Sequence, residues 1–204
     1  MNSVSVKGVI KKNNSFLLRK NERNEYELLG GKLEKDDINL RDRLKKEFLE
    51  ESGIKITVNK ELEPWFLNIN GDKVLIIPYI CNIDYIPSVL YDQDGGELYW
   101  VKGRNINKIN IPKGYLDTIN QISPHDSTTI SKKTKYYGKD YQVPIFLKII
   151  NKNSKEIETV EIKEGSISDI KEKYRINNRI KLKFNKCELE ENVLYVEYES
   201  DIYE

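Results

Sequence analysis

The most telling part of this chain is the segment GGKLEKDDINLRDRLKKEFLEESGI, residues 30–54. Three of its four glutamates, Glu47, Glu50 and Glu51, fall within one turn of a predicted helix. Residues three and four apart share a helix face, and like charges there repel by roughly 0.2–0.5 kcal/mol per pair. The three carboxylates therefore predict a cation between them. A site built only from oxygen ligands suits a hard divalent ion, Mg²⁺ or Mn²⁺.

Glycines border this acidic segment on both sides. Gly30 and Gly31 precede the predicted helix, and they can take positive φ and bring the backbone close to a ligand or metal. Gly53 follows it, at the place where a left-handed glycine commonly ends a helix. An apolar stripe spaced four residues apart predicts the buried face, formed by Leu40, Leu44 and Phe48.

The segment resembles the signature of the Nudix hydrolase family. That signature is a glycine, five residues, a glutamate, seven residues, Arg-Glu, an aliphatic residue, any residue, Glu-Glu, any residue, a glycine and an aliphatic residue. Three departures occur here: Asp37 replaces the first glutamate, Lys46 replaces the arginine, and the loop carries one extra residue. In the family the first acid and the arginine form a structural ion pair. The resemblance thus implies an Asp37–Lys46 pair, which lacks the two-pronged geometry of arginine.

The resemblance also implies roles for the site residues. The metal ligands would be Glu47, Glu50 and Glu51 together with the backbone carbonyl of Gly31. The general base would be one of these glutamates or an acid on a later loop, for which Glu97 is the candidate and Asp94 the alternative.

Substrate contacts are predicted from residues outside the acidic helix. Arg19, at the end of the second predicted strand, and Lys32, after the glycines, are candidates to bind phosphate groups. Tyr26 and Tyr99 are candidates to stack on a base, although aromatic residues in strands more often belong to the core.

The resemblance covers about residues 3–123 and implies an α/β fold, the Nudix α/β/α sandwich with a mixed sheet between helices. Residues 1–123 are predicted as this domain, and the polar residues 124–140 as a linker. Residues 141–204 are predicted as a small α+β domain. Its order of hairpin, helix with Ser166 as N-cap, and two strands is loosely similar to β-grasp domains. The alternative is an irregular β appendage that covers or dimerises the catalytic unit.

Composition limits the classes of function. The sequence has 34 Lys and Arg against 33 Asp and Glu, so the net charge is +1. It therefore lacks the excess of basic residues that is typical of proteins that bind duplex nucleic acid. The sequence shows no signal peptide and no membrane span. Cys81 and Cys187 have no metal-type spacing, so we expect both to be reduced and buried in a cytoplasmic protein. The single histidine, His125, is expected at the surface rather than in catalysis.

The function that the resemblance implies is hydrolysis of a phosphoanhydride bond in a nucleoside diphosphate linked to another moiety. An ADP-ribose-like substrate or a nucleoside triphosphate is expected, with Mg²⁺ or Mn²⁺ as cofactor. One alternative is a non-catalytic Nudix-fold sensor that binds a nucleotide and signals to a protein partner through residues 141–204. RNA decapping is another, and it requires a basic groove. The resemblance is also compatible with a homodimer.

Overall fold

Eight strands of the chain form one mixed sheet. The computed structural model describes residues 2–69, 71–88, 90, 92, 96–122, 142–162, 167–178 and 180–202. The strands of this sheet are β1 (Asn2–Lys12), β2 (Ser15–Lys20), β3 (Tyr26–Glu27), β4 (Lys55–Glu61), β5 (Trp65–Ile69), β6 (Asp72–Tyr85), β7 (Glu97–Lys102) and β8 (Gln142–Val143). Two α-helices and a 3-10 helix accompany them: α1 (Leu40–Ser52), α2 (Lys113–Asn120) and the 3-10 helix Gly103–Lys108.

The sheet is mixed because one central strand pair is parallel. The order is β3-β2-β1-β6-β4, with β5 also paired to β6, β7 to β2, and β8 to β1. Strands β1 and β6 run parallel, whereas the other pairs in this sheet are antiparallel. The β1–β2 hairpin closes through Asn13 and Asn14, both at positive φ, in the two-residue turn that suits twisted strands.

Each face of the sheet carries its own core and its own helix. The predicted apolar stripe of α1 is buried, with Leu44 and Phe48 both 0% exposed, and packs on the face that includes Val4 and Val6. The opposite face packs against α2, which contributes Tyr115 and Ile119. The predicted sandwich of a mixed sheet between helices is therefore confirmed.

Helix α1 begins and ends where its sequence signals lie. The Asn39 side chain accepts hydrogen bonds from the backbone amides of Arg41 and Asp42, which caps the N-terminus. Gly53 lies at φ 67° and donates its amide to Leu49 O at 3.0 Å. The predicted left-handed glycine stop is confirmed, and it fixes where the glutamates of the last turn lie.

The C-terminal part forms a second sheet with one helix. Its elements are β9 (Ile145–Asn151), β10 (Ile157–Glu161), α3 (Ile167–Asn178), β11 (Ile180–Glu190) and β12 (Val193–Ile202). The strand order is β10-β9-β12-β11, and the central strands β9 and β12 are parallel. The predicted order of hairpin, helix and two strands is present. The expected linker 124–140, His125 and the N-cap Ser166 lie outside the described residues.

The second sheet contacts the first through charged and polar side chains. Glu63, after β4, accepts hydrogen bonds from Lys171 Nζ at 2.5 Å and from the Tyr198 hydroxyl at 3.0 Å. Glu61 accepts the backbone amide of Cys187 at 2.5 Å. In addition, β8 pairs with the first residues of β1. The two sheets are thus joined by hydrogen bonds as well as by apolar packing.

Both cysteines are unpaired and buried, as the sequence predicts. Burial raises the pKa of the Cys81 thiol to about 12, so this thiol stays protonated at neutral pH. Among the residues that the structure describes, every helix is too short or too polar to cross a bilayer.

Candidate active site

The glycine pair lies directly against strand β1. Val6 N donates to Gly31 O at 2.9 Å, and Gly8 N donates to Leu29 O at the same distance. Gly30, between these two bonds, has φ 121°, a conformation that residues with a side chain rarely adopt. The loop is therefore anchored to the centre of the sheet, in a shape that depends on glycine.

The two glycines make room for the glutamates of α1. A Cβ on Gly31 would lie 1.9 Å from Glu47 Oε2, and one on Gly30 would lie 2.3 Å from the backbone oxygen of Val6. Gly30 N donates to Glu51 Oε2 at 3.3 Å. The close approach expected of the glycine pair is present, and it brings Glu47 and Glu51 to one loop.

The third glutamate lies apart from the other two. The Glu50 side chain is 55% exposed, and its carboxylate is 3.9 Å from Lys46 Nζ. At 100° per residue, Glu47 and Glu51 lie 40° apart on the helix, whereas Glu50 lies about 100° from Glu51 and faces solvent. Among the described residues, no group of three or more His, Cys, Asp or Glu side chains is arranged to hold a metal. The expected convergence thus applies to Glu47 and Glu51 only.

Arg43, and not Lys46, joins the loop to the helix. Arg43 is 6% exposed, and its guanidinium nitrogens lie 2.8 Å from Glu34, 3.5 Å from Asp37 and close to Glu47. The contacts to Glu34 and Asp37 lie within ion-pair distance but lack hydrogen-bond geometry. Lys46 instead lies 3.5 Å from Glu34. The expected Asp37–Lys46 pair is wrong, because Lys46 projects to the solvent side while Arg43 lies one turn before Glu47 on the inner face.

Replacing Arg43 tests this assignment. Arg43→Met should destabilise the protein by about 3–5 kcal/mol, because it leaves buried carboxylates without their partner. Lys46→Met should change stability by less than about 1 kcal/mol, since that lysine is half exposed. Urea unfolding of the two variants measures both values. Equal losses of stability in the two variants would show instead that Lys46 contributes as much as Arg43 to joining the loop to the helix.

Two polar side chains of β1 also bind the loop at Gly30 and Gly31, which we call the glycine loop. Ser5 Oγ donates to Gly31 O at 3.0 Å, and Lys7 Nζ donates to Gly30 O. Because Gly31 O also accepts the amide of Val6, both of its lone pairs are used. The carbonyl of Gly31 is thus poorly suited to be the metal ligand that the resemblance implies, and the adjacent carbonyl of Gly30 is better placed. Sequence reasoning missed Ser5 and Lys7, although both alternate with buried valines along the strand.

Arg19 lies beside this loop but is held by carboxylates. Its Nε pairs with Asp92, whose side chain is 0% exposed, and its NH1 lies 3.0 Å from Glu27 Oε1. Through this pair with Arg19, Asp92 is an acid of the later loop that lies near the site, and its charge adds to the raised pKa of Glu51. The sequence pointed instead to Glu97, which lies on β7 opposite Lys20 and accepts a hydrogen bond from the Tyr99 hydroxyl. Asp94 lies outside the described residues.

The two tyrosines proposed for base stacking contact each other. The rings of Tyr26 and Tyr99 lie edge to face, with centroids 5.8 Å apart. Tyr26 is partly buried against the core on the α2 side, whereas Tyr99 is 38% exposed. Neither ring lines the cavity beside the glycine loop. Their role in stacking stays a prediction.

A cavity of about 220 Å³ opens beside the glycine loop. Its lining is partly apolar, with Leu67, Ile69, Val74, Ile76 and Tyr115. Its charged lining residues carry both signs: Lys7, Arg19, Arg23, Lys32, Glu25, Glu27 and Glu51. Charged groups together with an apolar lining suit a ligand with an anionic group and a ring.

The carboxylates of the site are destabilised by their surroundings. Burial raises the pKa of Glu47 from its ordinary value of 4.5 to about 7, while Arg43 opposes the shift and Glu51 adds to it. Burial likewise raises the pKa of Glu51, against the attraction of Lys7 and Arg19. The buried carboxylate of Glu47, the partly buried carboxylate of Glu51 and the carbonyl oxygen of Gly30 form a donor set that fits a hard divalent ion. Such an ion would relieve the unfavourable burial of charge.

These pKa shifts predict how stability depends on pH in the metal-free protein. A carboxyl group with a raised pKa holds its proton more tightly in the folded state, so its contribution is most favourable below pH 4.5 and declines as the pH rises to about 7. In EDTA, we expect the Tm to fall between about pH 5 and about pH 7.5, and Glu47→Gln should reduce that fall. An equal or larger fall in the variant would contradict the role of Glu47.

Solved structures with the same fold are known, although no family model and no curated protein matches this chain. A NUDIX hydrolase from Nitrosomonas europaea superposes with a TM-score of 0.54 and 16% identity, over 60% of this chain and 88% of its own. The MutT protein from Methanosarcina mazei Go1 gives 0.51 and 21%, over 60% and 95% of the two chains. The MutT NUDIX hydrolase from Burkholderia pseudomallei gives 0.51 and 19%, over 60% and 99%.

Proposed function

We propose that this chain, which has the Nudix fold, is a divalent-metal-dependent pyrophosphohydrolase. It cleaves a phosphoanhydride bond in a nucleoside diphosphate linked to another group. The observation that supports this most directly is the glycine loop, which brings Glu47 and Glu51 together next to a cavity lined by Gly30, Gly31 and Glu51. Buried carboxylates with raised pKa values are typical of catalytic and metal sites.

The cation would be held by Glu47, Glu51 and the carbonyl oxygen of Gly30. When bound, Mg²⁺ or Mn²⁺ supplies charge neutralisation for the diphosphate and lowers the pKa of a water molecule. The chain would also provide the proton acceptor, a carboxylate of α1 or of the later loop that the cation leaves free.

Arg19 is placed to orient the phosphate groups. Asp92 and Glu27 take its Nε and NH1 atoms, which fixes the guanidinium plane beside the cavity. The remaining NH2 nitrogen would donate to a phosphate oxygen. Lys32 lines the same cavity and adds a second positive charge.

The substrate is proposed from the shape and charge of the cavity. Its volume of about 220 Å³ can enclose one ring and an adjoining phosphate, so the rest of the ligand would extend outside. ADP-ribose-like compounds are the first candidates, and nucleoside triphosphates are the second. Both place a diphosphate or longer phosphate chain next to a ring system.

A substrate screen tests the proposal. Purified protein is incubated with ADP-ribose, nucleoside diphosphate sugars and nucleoside triphosphates, with Mg²⁺ or Mn²⁺, and the products are separated by chromatography. Metal-dependent cleavage of a phosphoanhydride bond in one class supports the proposal. Stable binding of a nucleotide without product over hours would contradict it.

A nucleotide sensor is the second candidate, and one observation favours it. Arg43 pairs with Glu47, Lys7 binds the carbonyl oxygen of Gly30, whose amide donates to Glu51, and Glu50 faces solvent. A site neutralised by its own side chains can bind without catalysing. Calorimetry with nucleotides in Mg²⁺, run beside the screen, separates the two functions, because a sensor binds tightly and releases no product.

A further inference from the structure

Lys7 is a buried lysine at the centre of the sheet. It is only 8% exposed, although lysine is rarely buried without a partner. Its Nζ donates to the carbonyl oxygen of Gly30, and its charge acts on the carboxylates of Glu47 and Glu51. These are the three groups of the candidate metal site. The ammonium group is therefore already where a cation is stabilised.

The position of Lys7 follows from the strand. Side chains on β1 alternate, with Val4 and Val6 in the core beneath α1 and Ser5 and Lys7 lining the cavity. Because the register of β1 is fixed by eight paired residues on β6, Lys7 cannot turn away without disturbing the sheet. Its four-carbon stem can bend, however, and move the ammonium group along the cavity.

We propose that Lys7 is a resident cation of the acidic site, and that a divalent ion competes with its ammonium group for the carbonyl oxygen of Gly30, next to the carboxylates of Glu47 and Glu51. The inference rests on the proposed function for its claim that a metal binds here. An ammonium group and a divalent ion repel each other strongly at contact distances in a partly buried site. Metal binding must therefore move the ammonium group away from the carbonyl oxygen of Gly30 and further into the cavity that Lys7 lines, where the phosphate groups of a substrate would meet it.

Titration with Mn²⁺ alone, without nucleotide, tests the competition. Calorimetry compares the wild type with Lys7→Met, and with Lys12→Met as a matched control. Lys12 lies on the same strand about 16 Å further along, and it is exposed. We expect Lys7→Met to bind Mn²⁺ at least about tenfold more tightly, and Lys12→Met to match the wild type. Unchanged or weaker binding by a folded Lys7→Met protein would overturn the proposal.

A second measurement needs no variant and covers the case in which Lys7→Met does not fold. Acetylation of wild-type lysines is followed by mass spectrometry, with and without Mn²⁺. Displacement of the ammonium group should speed acetylation of Lys7 several-fold, while Lys12 reacts at a constant rate. A rate at Lys7 that Mn²⁺ leaves unchanged or slows would contradict the competition.

Failure of this inference can be distinguished from failure of the proposed function. Both measurements use the metal alone, so they give a result even if no nucleotide is hydrolysed. Tighter Mn²⁺ binding by Lys7→Met without any turnover supports the resident cation and counts against the hydrolase. Turnover by the wild type together with an unchanged Mn²⁺ affinity in Lys7→Met supports the hydrolase and counts against the resident cation.

Discussion

Replacing Glu51 by glutamine should lower kcat by about a hundredfold or more. Glu51 is a partly buried carboxylate at the glycine loop, and glutamine keeps its size while removing the charge that would hold a cation. Losses of this size are typical when a group that acts directly on the reacting atoms is removed. The measurement is steady-state hydrolysis of the substrate found in the screen, with circular dichroism to show that the fold is kept.

Two further variants make this result specific. Asp42→Asn removes an exposed carboxylate from the first turn of the same helix and should retain normal activity. Glu50→Gln should cost less than Glu51→Gln, because its carboxylate lies beside Lys46 at the surface. A Glu50→Gln loss as large as that of Glu51→Gln would show that Glu50 turns toward the loop when the cation binds.

Replacing Gly30 by alanine should destabilise the protein by about 3 kcal/mol or more. The new Cβ would lie 2.3 Å from the backbone oxygen of Val6, and the φ of 121° is strained for alanine. Strain of this kind contributes roughly 1–3 kcal/mol, and overpacking a similar amount. For a chain of this size, we expect Tm to fall by about 6–12 °C in calorimetry.

Gly71→Ala is the matched control for the steric part of this effect. Gly71 also has a positive φ, 96°, but no atom lies within 4 Å of a Cβ built there. Gly71→Ala should therefore introduce backbone strain without a steric clash, and it should lower Tm by less than Gly30→Ala. Equal shifts would mean that the contact with Val6 contributes nothing.

Much of the fold could be predicted because its signals are local. The stripe of Leu40, Leu44 and Phe48 and the stop at Gly53 depend only on helical geometry, and all four residues lie as expected. The tight hairpins likewise follow from short turns between apolar strands. The candidate acids Glu47 and Glu51 were found for the same reason, since their spacing alone places them on one face.

The partners of those acids could not be predicted as readily, because they come from distant parts of the chain. Lys7 and Asp92 reach the site through the packing of strands and a loop that no local pattern defines. Arg43 is different: it stands four residues before Glu47, so helical spacing could have identified it. The expected pairing with Lys46 followed the order of the family signature instead, and it ignored which side of the helix faces the core.

Although strand β8 has only two residues, its pairing bears on the position of strand β1. Val143 and Gln142 pair with Asn2 and Ser3, at the start of the strand that also carries Ser5 and Lys7. A slip of β1 by one residue would exchange its faces, and valines would replace Ser5 and Lys7 at the glycine loop. The C-terminal part of the chain therefore adds two pairs to the eight that β6 makes with β1, and residues more than a hundred positions away help to hold Ser5 and Lys7 at the glycine loop.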